Sequence, residues 1–314
     1  MRPADLARLV ALAAMWGASY LFMRHAVPYF GPVLMIEVRV LVAGVALLAF
    51  ALARGEAVDW RRHWRAYLFV GVIGLDVPFL LIAQALRTID ASTGAILNAL
   101  APLFAALVAA AWLRDRLTAA KLLGIALCLV GTALLVGRRP APMSAAELVA
   151  ASFSVAATAI YGYTMVFTKV YLRQATPMAI SAATLVLAAA ALAPLAPFQG
   201  RDVTAMPASA WLAVLGLAFV STTVAFILYY RLIADVGPVK ASTVTLLVPV
   251  FGMLWGVVFL GEPLTAGRIA GCAVILGGCA LILGLLPFGS AVRRAEAGTP
   301  MNADRTTPMN ADNS

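Results

Sequence analysis

Asp76 stands at the centre of an apolar run, more than ten residues from the nearest bases, Arg65 and Arg87. A carboxylate at that depth costs about 2.5–3.5 kcal/mol on insertion scales and faces a bundle interior or a wet cavity. Two readings stand: a site for a proton or a substrate ammonium, or a protonated acid bonded to a neighbouring helix's carbonyl. Pro78, two residues on, frees backbone carbonyls beside it. Lys240 follows Gly237-Pro238 and precedes Ser242, Thr243 and Thr245. A cation and hydroxyls near a helix N-terminus suit a carboxylate, with an ordinary inside-facing lysine as the alternative. Glu37 and Arg39 are two apart and do not share a helix face. Arg39 lies within two turns of the end of its apolar run, where snorkelling to the interface accounts for it.

Trp16 and Tyr20, four apart, face one way on a helix, while Phe79, Phe226 and Trp255 sit at mid-run depth. Tyr161 and Tyr163 complete an aromatic set that, with few charges, suits a neutral or zwitterionic amphipathic solute. Packing is the alternative for any single ring. Asn98 and Thr245 each lie one turn before a proline, Pro102 and Pro249, where the backbone of a membrane helix can open toward a cavity. The residues expected to face substrate are thus Trp16, Tyr20, Asp76, Phe79, Asn98, Tyr161, Tyr163, Phe226, Lys240, Thr243, Thr245 and Trp255, with Pro102 and Pro249 as helix breaks. No nucleotide-binding glycine loop or catalytic triad is present, and His25 and His63 have no nearby Cys or His. No cofactor, metal or enzymatic activity is expected.

The elements that must position these residues are membrane helices. Of 314 residues, 63% are hydrophobic and 12% charged, with mean hydropathy +0.95. A soluble surface could not cover that much apolar side chain, which excludes a cytosolic enzyme, a secreted disulfide scaffold and a disordered hub. Stretches of about 20 apolar residues fall at 5–24, 32–53, 66–86, 91–113, 119–137, 145–168, 176–197, 209–230, 238–260 and 267–287. The net charge of +9 comes from bases clustered between these runs, the pattern of membrane orientation rather than of a nucleic-acid partner. With both termini cytoplasmic, inner segments hold 16 of the 23 Lys and Arg; Arg138-Arg139 is the weak point of that topology. Residues 289–314 repeat Thr-Pro-Met-Asn-Ala-Asp and read as a disordered cytoplasmic tail.

The sequence matches itself. Shifted by 147, Trp64 falls on Trp211, Phe79 on Phe226, Pro102 on Pro249, Leu117-Thr118 on Leu264-Thr265, Gly124 on Gly271 and Gly131 on Gly278. Shifted by 145, Trp16-Gly17 falls on Tyr161-Gly162 and Pro32 on Pro177. Each half holds five spans, and an odd number turns the second copy upside down. Inverted repeats of membrane helices are the architecture of alternating-access transporters, with the substrate near the midplane. Small residues along the fifth and tenth spans (Ala120, Gly124, Gly131; Gly267, Gly271, Gly278, Gly284) read as close helix packing, within the monomer or in a homodimer.

Trp16-Gly17-Ala18-Ser19, Arg39, Pro102 with Leu117-Thr118, and Pro249 with Gly261-Glu262-Pro263-Leu264-Thr265 resemble the EamA-type drug/metabolite transporters across about residues 5–287. The first half departs at Arg114-Asp115-Arg116, which leaves the role of that motif's glutamate to Asp115. The resemblance implies ten helices in two five-helix repeats, and among family members the amino-acid exporters are the nearest in pattern. The sequence therefore predicts an all-α membrane protein with repeats at 1–140 and 141–288, in a bacterial inner membrane with both termini cytoplasmic. Its expected function is secondary transport of a small-molecule substrate, most simply amino-acid export. The alternatives are a passive facilitator or channel of the same fold, or a membrane scaffold.

Overall fold

The computed structural model describes residues 2–137, 143–195 and 202–286; Arg138-Arg139-Pro140, Arg201 and the 289–314 tail lie outside the described residues. The apolar runs become helices because a helix satisfies its own backbone within the bilayer. In chain order these are α1 (Pro3–Ala53), α2 (Trp60–Gly71), α3 (Val77–Ala85), α4 (Ala91–Asn98), α5 (Ala101–Leu113), α6 (Ala119–Gly137) and α7 (Ala145–Tyr171). They continue as α8 (Pro177–Leu192), α9 (Ala208–Ala218), α10 (Ala225–Val236), α11 (Pro238–Ser242), α12 (Val244–Leu260) and α13 (Ala266–Ile282). Wider π-helical turns, Val72–Asp76 and Phe219–Val224, join α2 to α3 and α9 to α10. Seven helical runs are long and apolar enough to cross a membrane, two shorter apolar helices accompany them, and no strand occurs among the described residues. The chain is an all-helical, multi-pass membrane protein.

The count differs from ten because α1 joins the two spans expected at 5–24 and 32–53 across a kink. Its 51 residues would extend roughly 75 Å, far beyond one hydrocarbon thickness. Gly31 interrupts it with φ 69° and ψ 168°, between Pro28 and Pro32. That positive φ needs glycine, and Pro32 supplies no amide to bridge the bend.

Close helix contact sets the packing. The backbone of Gly17 on α1 lies on Phe251 and Gly252 of α12, where an added Cβ would come 2.7 Å from the Phe251 Cβ. Gly162 of α7 meets Phe104 and Ala105 of α5 at 2.6 Å in the same sense. The expected small-residue stripe forms inside the monomer: an added Cβ on Gly124 of α6 would come 2.6 Å from the Gly278 carbonyl oxygen of α13, and one on Gly131 would come 2.9 Å from the Gly271 carbonyl oxygen. Around α1, Met23, Phe30, Ile36, Leu47, Leu86 and Leu185 form the main core.

A Cβ at Gly278 would sit 2.6 Å from the Gly124 carbonyl and 2.8 Å from Cys128 Sγ, whereas one at Gly277 meets nothing within 4 Å. We expect Gly278→Val to lower stability by about 1–3 kcal/mol, the usual cost of overpacking, with Gly277→Val close to the parent. Unfolding by SDS titration from detergent micelles measures both. Equal losses would show that the α6–α13 contact does not set stability.

Candidate functional site

Arg39 lies in the second part of α1, eight residues beyond Gly31 and about 12 Å along the helix. It does not snorkel: the residue is 6% exposed. Its Nε donates to Thr222 Oγ1 at 3.1 Å, Nη1 approaches the Met23 thioether at 3.8 Å, and the guanidinium stands 3.8 Å from the Phe79 ring centroid. Cation–π attraction and a hydroxyl take the place of headgroups. Thr222 is available because the π turn leaves carbonyls five residues back to be bonded; Thr222 donates to Leu217 at 2.8 Å and Thr223 to Ala218 at 3.0 Å. The Tyr20 and Tyr161 side chains lie within electrostatic range of the guanidinium.

The aromatics assemble in matched pairs. Trp16 meets Phe226 edge-on at 6.2 Å and 73°, and Tyr161 meets Phe79 edge-on at 6.4 Å and 71°. Tyr229 packs on Trp16 at 5.2 Å, and Tyr230 stacks on Phe226 while bonding Ser181. Tyr163 points elsewhere. Two residues from Tyr161, it falls on the other face of α7, is 37% exposed and stacks on Trp112 at 5.4 Å. Trp255 donates from Nε1 to the Ala14 carbonyl at 2.9 Å and packs against Phe251 and exposed Phe259, tying α12 to α1.

Asp76 is 2% exposed with neither carboxyl oxygen hydrogen-bonded, and Glu37 is 6% exposed with Oε2 unpartnered. Glu37 lies within electrostatic range of Asp76. Asp76 ends its π turn one helical turn before Phe79, on the same face. None of the ion pairs among the described residues includes Arg39, Glu37 or Asp76. Sequence reasoning missed the interior placement of Arg39 and Glu37. The available signal was two opposite charges inside one apolar run, each costly there.

The helix breaks fall partly as expected. α4 ends at Asn98, whose Oδ1 is buried without a partner, and α5 resumes with Pro102 in its first turn. In the second half the break comes at Thr243, and Pro249 runs inside unbroken α12. Two hydroxyls ease the earlier break: Thr243 donates to the Lys240 carbonyl at 2.7 Å and Thr245 to Ser242 at 2.8 Å. Lys240 itself is exposed on the five-residue α11.

At one end of the bundle, buried Glu262 accepts from the Ala91 amide at 2.7 Å, from the Ser92 amide at 3.0 Å and from the Ser92 hydroxyl. This carboxylate caps α4, satisfying amides that a helix start leaves free and facing the positive end of its dipole. Beside it Arg268 pairs with Asp90 and donates to the Pro263 carbonyl at 2.7 Å. Gly256 is required here, since a Cβ would come 2.5 Å from Glu262 Oε2. The matching acid of the first half, Asp115, is 54% exposed and bonded to Lys121 at 2.8 Å, which holds its carboxyl below the usual carboxylate range.

Glu262→Ala should cost about 1–3 kcal/mol, because it strands buried amides. Asp115→Ala should cost under about 1 kcal/mol, as exposed pairs do. Thermal unfolding in detergent reads both; similar losses would mean that Glu262 caps nothing of consequence.

The sequence matches the EamA-like transporter family over residues 6–137 and again over 148–284. It is 28% identical over 262 residues to the uncharacterized inner membrane transporter YedA of Escherichia coli, covering 82% of this chain and 83% of that protein. It is 25% identical over 296 residues to a protein of Streptantibioticus cattleyicolor named a probable terminal-alkyne amino-acid exporter, covering 93% and 96%. A solved crystal structure shares the fold with TM-score 0.64 at 23% identity, covering 94% of this chain and 100% of that one. With both halves matched and the helices packed as described, the chain belongs to the EamA-like transporter family and is a membrane transporter.

Proposed function

We propose that the protein is a secondary transporter that exports amino acids or related small metabolites across the inner membrane by alternating access. Ten spans form two inverted repeats, 1–140 and 141–288, with both termini cytoplasmic and the substrate between the halves. The observation that carries this reading is reciprocal geometry. At the offsets of 145 and 147, the Trp16–Phe226 pair maps onto Tyr161–Phe79, and the Gly17 contact with α12 onto the Gly162 contact with α5. The same offset carries one π turn onto the other, and left-handed Arg114 (φ 55°) onto Gly261 (φ 64°). Dividing α1 at Gly31 gives five spans to each half. The two family matches, 6–137 and 148–284, divide the chain in the same way.

Contacts between helix ends fit the proposed sidedness. Arg8 with Asp235 and Glu56 with Thr176 join segments assigned inside. Arg24 with the Leu86 carbonyl, Glu262 with α4 and Arg268 with Asp90 join segments assigned outside. The outer end is thus latched by Glu262, whereas at the inner end Asp115 is turned to Lys121. The inner counterpart of Ala91 is Pro238, which has no amide to donate. The relative named an amino-acid exporter supports the substrate class.

A membrane-impermeant maleimide should label cysteines placed at 56 and 290 from the cytoplasmic side and at 201 from the periplasmic side. Opposite accessibility at 201 would reject the inverted repeat. Proteoliposomes should show saturable counterflow of radiolabelled amino acids; flux without saturation or counterflow would indicate a channel.

Asp76 has no acidic counterpart, since Thr223 occupies its place in the second half, so symmetry does not require it. In this reading Asp76 binds the driving proton or the substrate ammonium. Asp76→Asn keeps size and polarity while removing titration. If the carboxyl carries the proton, the variant should lose accumulation under a pH gradient and keep counterflow; if it binds the ammonium, both should fall. Transport equal to the parent under a pH gradient would leave Asp76 a buried structural residue.

A further inference from the structure

We infer that Arg39 is the anchor for the substrate's carboxylate, a role that rests on the transport reading and narrows its substrate to a carboxylate-bearing solute. A guanidinium cannot shed its proton in a protein, so a buried arginine is a permanent charge that needs a counter-ion. Arg39 is buried and has none: its bonds go to the neutral Thr222 hydroxyl and the Met23 thioether. Glu37 and Asp76 are buried in the same bundle, yet neither forms an ion pair with it, and three of their carboxyl oxygens bond to nothing. The acids can be neutralised by protons; the guanidinium cannot. Among its described residues the protein thus supplies no fixed anion to this guanidinium, which leaves its counter-charge to a solute.

The geometry fits a planar monoanion. Phe79 covers one face of the guanidinium at 3.8 Å, and Thr222 occupies Nε at 3.1 Å. That leaves the Nη1 and Nη2 end, the side from which a carboxylate can accept two parallel bonds. Nη1 now rests on a thioether at 3.8 Å, a weak acceptor that a carboxylate oxygen would displace. The Tyr20 and Tyr161 side chains lie within electrostatic range, and Phe79 with Tyr161 gives an apolar wall beside the anchor. Lys240, expected from the sequence to hold the carboxylate, is exposed on α11 and has no such frame around it.

Three matched probes test this in detergent-purified full-length protein: leucine, its deaminated analogue 4-methylpentanoate, and its decarboxylated analogue isopentylamine. Thermal-shift titration gives apparent affinities, and counterflow in proteoliposomes gives transport. The parent should bind leucine and 4-methylpentanoate. Arg39→Gln should weaken both by at least tenfold and leave isopentylamine unchanged. Arg39→Lys, which keeps the charge and loses the fork, should fall between, and serves if the glutamine variant does not fold. Thr222→Val should weaken the two carboxylates by a smaller factor. Equal effects of the Arg39 variants on all three probes, or a parent that binds neither carboxylate, would overturn the inference. A parent that binds the carboxylates through Arg39 but shows no counterflow would leave the anchor standing and reject transport of these solutes.

Discussion

In hydrocarbon every backbone amide and carbonyl must find its partner inside the protein, because no water replaces one that is lost. This constraint accounts for most of the irregularities in an otherwise helical chain. Where α9 widens into the π turn that leads to α10, Thr222 and Thr223 bond the carbonyls five residues back. Where α11 yields to α12, Thr243 and Thr245 do the same at shorter range. Where α4 starts between other helices, Glu262 supplies acceptors for two amides and Arg268 holds Asp90 next to them. These departures from the straight helix bring hydroxyls and charges into the interior. The interior chemistry of the bundle grows out of the repairs that its helix breaks require.

Between the two halves of the sequence, backbone features recur more closely than the side chains that repair them. Glycine contacts, π turns and left-handed caps recur at offsets of 145 and 147, the same backbone geometry under different side chains. Side chains are free to diverge on it. Thr118 and Thr265 cap α6 and α13 alike, accepting from Lys121 and Arg268 at 3.3 Å. Asp115 and Glu262 occupy matching places but one is solvated and the other buried in amides. Arg39 has Thr184 as its counterpart and Asp76 has Thr223, so the matched backbone geometry does not call for a charge at either place.

Much of this was legible in the sequence, and the failures have physical causes. Hydropathy located the apolar runs, and the self-match aligned Trp16 with Tyr161 and Phe79 with Phe226; the structure brings them together crosswise, Trp16 edge-on to Phe226 and Tyr161 edge-on to Phe79. Hydropathy put a boundary between 24 and 32, and the helix does break there, at Gly31 with φ 69° and ψ 168°, but as a kink rather than a polar loop. Spacing placed Tyr163 near Tyr161 in number, but two residues along a helix is the opposite face. Pro249 promised a break that the chain makes at Thr243 instead, where hydroxyls were on hand to bond the carbonyls. Arg39 was misjudged because depth along a span was read as nearness to the interface, and a sequence does not show that Phe79 and Thr222 would offer the guanidinium a berth inside.

The remaining question is why the protein tolerates three ionisable groups in its interior that do not neutralise one another. Mutual pairing would be the cheaper arrangement, since an ion pair recovers part of the desolvation that each charge loses. Pairing would also silence them. A transporter whose arginine was closed by a glutamate would need its substrate to break that bond, and the affinity would be reduced by its strength. Holding Arg39 against a ring, a hydroxyl and a thioether keeps it oriented while leaving its strongest donors for a visitor. The acids meet the same condition by another route, since protons can cover their charge until a cation or a new pathway to water takes them away. An interior with a fixed positive charge and adjustable negative ones therefore costs least when a carboxylate occupies it. By linkage, a solute that binds one arrangement of the helices more tightly than another shifts the bundle toward it. On the anchor role we propose for Arg39, a charge that the protein's own acids leave unpaired gives the substrate its hold on the conformational change.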